Sequence, residues 1–238
     1  NISSLFSQGK PLYMLLYAAG RSGNIRNLNL EDIGVKTGPR ETVIVDKTYK
    51  SSVSNIYAVG DVIGFPALAS TSMDQGRVAV SKMFKLKESE SFSDLLPFGI
   101  YTIPEVSMVG ITSQAAEESK YDYVSGIARF QDMMRGQILG VDHGFLKIIC
   151  RQKTGVIEGV HIIGHTATEI IHYGMQLVQN KVSIHDVIGH VFNVPTFHSL
   201  YKYAAYDALG AICWGQFLFL RGSPAGRSVK AKGDPTYW

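Results

Sequence analysis

The chain has 238 residues, 45% of them hydrophobic and 18% charged, with a formal net charge of +3. This length suits one or two domains, and this composition suits a globular protein that buries a real core. So small a charge gives no case for nucleic acid, and Phe217 to Leu220 falls far short of the roughly 20 apolar residues of a membrane span.

Residues 11–19 form a continuous apolar run, which predicts a buried strand of a parallel sheet. Residues 20–24 end it as a glycine-rich turn, and residues 28–34 read as one short helical excursion closed by a glycine cap. Residues 41–46 are β-branched and read as a strand; the polar loop 47–54 then leads to a second short apolar run, Ile56 to Val59, also predicted as a buried strand. Gly60 breaks that run and Asp61 stands alone at its carboxyl end. From Ser70, the residues Met73, Arg77, Val78, Val80, Ser81 and Phe84 predict a helix with one buried face, running to about Lys85.

Residues 85–94 are charged and serine-rich, the composition of a linker. Short strands are expected beyond it at 99–102, 107–109, 124–130, 145–150 and 156–163, with Thr154-Gly155 turning the last two into a hairpin. Helices are expected at 166–179 and, once Pro195 has set the entry, at 197–209. Strands followed by helices predict an α+β domain packed on an α/β one. From Ala211 no periodicity is usable, and the basic, Gly-, Pro- and Ser-rich residues 221–238 are expected to be disordered.

A carboxylate at a strand end, after a glycine that lets a ligand come close, is an acceptor suited to sugar or ribityl hydroxyls. A helix starting near Leu68 would aim free N–H groups at the same crevice and favour electron-rich or anionic atoms. On spacing alone, a turn-capping Asp61 and a strand-ending Gly60 account for the pair equally well. Taken singly, Gly20 to Asn24 is better read as a plain turn than as a nucleotide contact. There is no G-x-G-x-x-G, Walker or G-x-S-x-G pattern. His161 and His165 are four apart but lie on a β-type run broken by Gly164, so no metal site is expected. Cys150 and Cys213 are far apart and in no C-x-x-C pattern, which fits a reducing, cytoplasmic compartment and no disulfide framework. Cys150, in an apolar strand, reads as buried and inert. No basic–apolar–small segment of signal-peptide type opens the chain.

Seven segments occur in order: Leu16-Tyr-Ala-Ala-Gly-Arg-Ser-Gly-Asn24, Ile56-Tyr-Ala-Val-Gly-Asp-Val62, Tyr101-Thr-Ile-Pro-Glu-Val-Ser-Met-Val-Gly110, Gly144-Phe-Leu-Lys-Ile148, Gly155-Val-Ile-Glu-Gly-Val-His161, Glu169-Ile-Ile-His172 and Pro195-Thr196. Together they resemble the carboxyl-terminal half of the FAD-dependent pyridine nucleotide–disulfide oxidoreductases, and within that family the set is most similar to the soluble transhydrogenases. The resemblance covers residues 11–210. It implies the end of a two-domain FAD/NAD(P)-binding Rossmann-like fold, α/β in class, followed by an α+β dimerisation domain. Residues 1–90 would hold the end of the NAD(P)-binding domain and the second FAD-binding segment, and residues 96–210 the interface of a homodimer; residues 211–238 are expected to be a disordered tail.

Carried over by position, the resemblance implies that Gly60 and Asp61 meet the ribityl or phosphate region of FAD. Ala67, Leu68, Ala69 and Ser70 would line the flavin ring, and Gly20 would contact the nicotinamide nucleotide, NAD or NADP. The family's disulfide reductases carry His-Pro-Thr-x-x-Glu near the carboxyl end, where the imidazole accepts a thiol proton. Here those positions are Val194, Pro195, Thr196 and Ser199, and neither valine nor serine can do that work. The activity implied is hydride transfer from NADPH through flavin to NAD, with no catalytic side chain assigned in this segment. The rivals are a dihydrolipoamide dehydrogenase- or glutathione-reductase-like enzyme and a non-catalytic dimerisation module. The amino-terminal flavin fingerprint is expected to precede Asn1, which makes this chain a fragment that is inactive alone.

Overall fold

The computed structural model describes residues 14, 16–86, 93–118 and 122–220, with side chains up to residue 213. They divide between two compact units, one within Asn1–Phe92 and the other within Ser93–Trp238.

The first unit is built from turns around one helix. Strands β1 (Thr37–Gly38) and β2 (Thr42–Val43) pair antiparallel about a 3-10 turn at Pro39–Glu41. Single bridges join Val45 to Ser51 and Lys50 to Tyr57. Between them Asp46 organises the polar loop, accepting from the Thr48 amide at 2.7 Å, the Thr48 hydroxyl at 2.6 Å and the Lys50 amide at 3.1 Å. Helix α1 (Ala69–Met83) follows.

Several sequence expectations fail in this unit. Of the strand expected at 11–19, residues 11–13 and 15 lie outside the described residues, and Met14 and residues 16–19 are irregular and exposed; Leu16 is 87% exposed. An apolar run becomes a buried strand only between neighbours that pair its backbone and cover its faces. Among the described residues of this unit the one ladder is the two-residue pairing of β1 with β2. Ile56 to Val59 likewise makes a single bridge, at Tyr57, and no strand. Residues 28–34 form consecutive turns instead of a helix, because Asn27 and Asn29 sit at positive φ, a conformation no α-helix contains. The strand expected at 41–46 shrinks to β2. Helix α1 forms, but the stripe it buries is Thr71, Gln75, Val78, Ala79 and Ser81, while Met73 and Phe84 face solvent.

The second unit is a five-stranded antiparallel sheet made of β3 (Phe98–Ile100), β4 (Glu105–Gly110), β5 (Tyr123–Arg129), β6 (Phe145–Arg151) and β7 (Ile157–Gly164), in the order β3-β4-β7-β6-β5. The hairpin of β6 and β7 sets a register in which Lys147 faces His161 and Ile148 faces Val160. Two short helices, α2 (Ser113–Glu118) and α3 (Met134–Leu139), interrupt the strands; neither shows in the apolar pattern of the sequence. Helix α4 (Ala167–Gln179) lies on β4 and β7. Short α5 (Ile184–Gly189) is started by a capping box in which Ser183 and Asp186 exchange hydrogen bonds. Helix α6 (Ser199–Leu220) lies on β5 and β6.

The helices seal one face of the sheet. Leu146, Ile148, Val160 and Ile162 project from the strands against Ile171, Leu200, Ala204 and Ala208, all at most 1% exposed. Tyr201 ties the two long helices together: its hydroxyl donates to the Ile170 carbonyl at 2.7 Å and accepts from the Gly174 amide at 3.0 Å. Helix α6 runs to Leu220, so Ala211 to Leu220 are helical and not the start of a disordered tail. Disorder over 221–238, and residues 87–92 of the expected linker, lie outside the described residues. No helix among the described residues is long and apolar enough to cross a membrane.

Candidate functional site

The residues singled out in the first unit lie on one turn and the helix that follows it. Val59 arrives extended, and Gly60 then turns the chain at φ +78° into a 3-10 turn, Gly60–Ile63. Two contacts fix this corner. The Gly60 amide donates to Oε1 of buried Gln75 at 2.6 Å, and a Cβ at Gly60 would stand 3.1 Å from the Ser72 hydroxyl. Both partners belong to α1, so the turn that presents Asp61 is held rigidly to that helix. Asp61 keeps its carboxylate 49% exposed, with Oδ2 2.8 Å from Arg21 Nη1.

Leu68 leads into α1 in extended form and, at the cap position, makes no side-chain hydrogen bond to the helix start. The first intrahelical bond is from the Ser72 amide to the Leu68 carbonyl. The amides at Ala69, Ser70 and Thr71 therefore have no acceptor within the helix, and no acidic side chain occupies the first turn. Ala67, Ala69 and Ser70 are exposed and Leu68 is half-buried. The surface so formed has small side chains, a helix amino-terminus and an acceptor-only carboxylate beside it. It fits FAD: Asp61 would accept from a hydroxyl of the flavin's chain, and Ala67 to Ser70 would let a flat ring lie close to the backbone.

Gly20, at φ +92°, precedes Arg21, so the structure brings the turn at 20–24 against the Asp61 turn through the Arg21–Asp61 pair. Two contributors escaped the sequence reading. Arg21 lies inside the segment Gly20–Asn24, in which only Gly20 carries an expected role. Gln75 had a legible signal, since it stands four residues after Thr71 and three before Val78 on the buried stripe, and a polar side chain there must find a partner.

In the second unit the loop before α6 offers no proton acceptor at residue 194. Val194 is 66% exposed. The Ser199 hydroxyl is used locally, donating to the Thr196 carbonyl at 2.7 Å. The nearby imidazoles pack against aromatic rings: His198 is edge-on to Tyr173, and His190 Nδ1 is 2.8 Å from the Tyr173 hydroxyl.

His161 is a different case. Both its ring nitrogens are buried with no hydrogen-bond partner among the described residues, and burial, with a smaller contribution from the Lys147 charge, pushes its pKa down to about 4. Burial also pushes the Cys150 thiol up to about 12, the state of an unreactive core cysteine. Among the described residues no three His, Cys, Asp or Glu side chains converge as a metal site would require.

A family model described as "Pyridine nucleotide-disulphide oxidoreductase" matches residues 8–76, and one described as "Pyridine nucleotide-disulphide oxidoreductase, dimerisation domain" matches residues 96–205. The soluble pyridine nucleotide transhydrogenase of Mycobacterium tuberculosis is 42% identical over 199 residues, covering 84% of this chain and 42% of that protein. The protein of that name from Yersinia enterocolitica is also 42% identical, over 83% of this chain and 43% of its own length. The chain thus spans less than half the length of the curated relatives it matches.

Among solved structures, LpdA of M. tuberculosis superposes with a TM-score of 0.68 at 26% identity, covering 78% of this chain and 40% of LpdA. The flavoprotein disulfide reductase RclA of Escherichia coli gives a TM-score of 0.73 at 23% identity, over 79% of this chain and 43% of RclA, and shows the shared fold alone. With two models of one family matched in succession, and with 42% identity to members over most of its length, the chain belongs to the pyridine nucleotide–disulfide oxidoreductase family.

Proposed function

We propose that the complete protein carrying this chain is an FAD-dependent, homodimeric transhydrogenase in which NADPH and NAD exchange a hydride to give NADP and NADH. The observation that carries the reading is an exposed carboxylate, Asp61, beside the bare start of α1, together with valine at 194 and serine at 199. Asp61 and the uncapped start of α1 supply an acceptor and backbone donors in one fixed frame. Val194 and Ser199 stand where the disulfide reductases of the family carry an imidazole and its carboxylate. Bound flavin supplies a two-electron relay between nucleotides, chemistry that needs no disulfide.

The protein's own residues then bind and orient. Asp61 would hold the flavin's chain by accepting a hydrogen bond from one of its hydroxyls. Ala67 to Ser70 keep the helix start bare, so that its dipole favours the electron-rich reduced form of the ring. Gly20, with no Cβ, would let the nicotinamide nucleotide approach the backbone. The names of the relatives, soluble pyridine nucleotide transhydrogenases, support the same choice of substrates.

The test is an assay of the complete protein for NADPH-to-thio-NAD transfer beside reduction of lipoamide and of glutathione disulfide. Transfer between nucleotides with little disulfide turnover is expected. Disulfide turnover without transfer would overturn the reading, and a complete protein that retains no flavin would favour a dimerisation module.

A further inference from the structure

This inference rests on the reading of Asp61 as an acceptor for flavin and concerns what aims it. Arg21 and Asp61 are forty residues apart and meet at 2.8 Å, although their side chains are 76% and 49% exposed. Exposed pairs of long side chains are usually weak, because both partners must be ordered to meet. Here both backbones are already ordered. The Arg21 loop is fastened to the 3-10 turn between β1 and β2: the Gly23 amide donates to the Arg40 carbonyl at 2.8 Å, and a Cβ at Gly23 would fall 2.0 Å from the Glu41 carbonyl oxygen. Arg26 continues the attachment, donating to Glu41 Oε1 from Nε at 3.1 Å and Nη2 at 3.0 Å. The Asp61 turn is fastened to α1 through Gly60 and Gln75. The ion pair therefore closes a gap between two anchored loops, and its cost is mainly the side-chain order of Arg21 itself.

The pair is also one-sided. Oδ2 of Asp61 lies 2.8 Å from the guanidinium, and the lone pairs of Oδ1 can accept from a ligand. We propose that Arg21 is a positioning residue of the flavin site, fixing the orientation of the Asp61 carboxylate so that one oxygen is spent on the guanidinium and the other is presented to a flavin hydroxyl. Arg21 acts through Asp61, so removing it matters only while Asp61 is there to be aimed.

The experiment is a double-mutant cycle on the complete, FAD-loaded protein, read as the rate of flavin release from the rise in free-flavin fluorescence. Arg21→Gln is expected to release flavin about two- to fivefold faster, the range an exposed ion pair allows. Asp61→Asn should release it about tenfold faster, having lost a charged acceptor. Adding Arg21→Gln to Asp61→Asn should change release no further, and Arg21→Lys, which keeps a cation within reach, should stay within about twofold of the wild type. The unfolding midpoint of the flavin-free protein should be the same for wild type and Arg21→Gln.

Two results overturn the proposal: wild-type release from Arg21→Gln, or full additivity of the two changes, which would mean that Arg21 meets the cofactor independently of Asp61. Wild-type release from Asp61→Asn would instead overturn the underlying reading of Asp61, so the two failures are told apart by which variant is silent.

Discussion

Gly60 shows how one missing side chain decides where a functional one stands. Its φ of +78° strains any other residue, and a Cβ there would press on Ser72 of the helix that frames the site. Gly60→Ala is therefore expected to destabilise the first unit by about 1–2 kcal/mol and to speed flavin release with it, measured by thermal melting and by flavin fluorescence. His161 makes the opposite point, since its chemistry is set by what it lacks. Its folded pKa is about 4, below the ordinary 6.5, so on acidification the unfolded chain takes up the proton first. The stability that comes from burying a neutral imidazole is whole above pH 6.5 and is lost as the pH falls toward 4, to a total of about 3 kcal/mol. Lys147, its cross-strand neighbour, adds to the penalty on a charged ring. Urea unfolding at pH 7 and pH 5 should show about 2 kcal/mol of that loss in the wild type and a smaller one in His161→Phe. In sequence His161 and His165 raise only a metal question; the partners of His161, Met108 and Lys147, lie on other strands, where spacing along one strand cannot reach.

Elements were legible where they were long enough to repeat. β6, β7 and α4 declare themselves by alternation and by a helical stripe, because each buries one face against a partner in the same unit. Strands of two residues and helices of six have no period to read, which is why β1, α2, α3 and α5 escaped. The end of α6 was misplaced for another reason. Gly210 reads as a terminator, yet an isolated glycine costs a formed helix only about 1 kcal/mol, and the intrahelical bonds carry past it to Leu220. Glycine means something else at residue 126 of β5, where a Cβ would lie 2.1 Å from the Ala204 carbonyl and 2.7 Å from Ala208 Cβ. Gly126→Val must push α6 off the sheet and should cost at least about 3 kcal/mol in a urea melt, or prevent folding. A gentler probe is Glu105, whose Oε2 accepts from the Thr168 amide at 3.0 Å and the Thr168 hydroxyl at 2.7 Å, joining β4 to the start of α4. These bonds hold its carboxyl below the usual range, so the support is present above pH 4.5 and is lost as the pH falls through the lowered value. Glu105→Ala should cost about 1 kcal/mol at pH 7, as the loss of a helix cap does, and less in acid.

At the scale of the whole molecule, the two units divide the proposed work unevenly, and that division has a kinetic signature. Every residue assigned to cofactor binding, from Gly20 to Ser70, belongs to the first unit. The second brings a sheet with a sealed face and a loop whose residue 194 cannot exchange a proton. Hydride transfer between nicotinamides consumes and releases no thiol proton, so neither His190 nor His198 is needed as an acid or a base. Their surroundings agree: His190 is spent on Tyr173, and His198 lies against the rings of Tyr173 and Tyr201. An enzyme working as a disulfide reductase would show an imidazole limb in its pH profile, since a general base must be unprotonated to act. In the complete protein, kcat/KM for NADPH-to-thio-NAD transfer should therefore stay level through the ordinary imidazole range around pH 6.5, and Val194→Ala and His198→Gln should each remain within about twofold of the wild type. A limb in that range that vanishes in His198→Gln would place a proton acceptor on the second unit. It would return the protein to the disulfide chemistry that Val194 argues against.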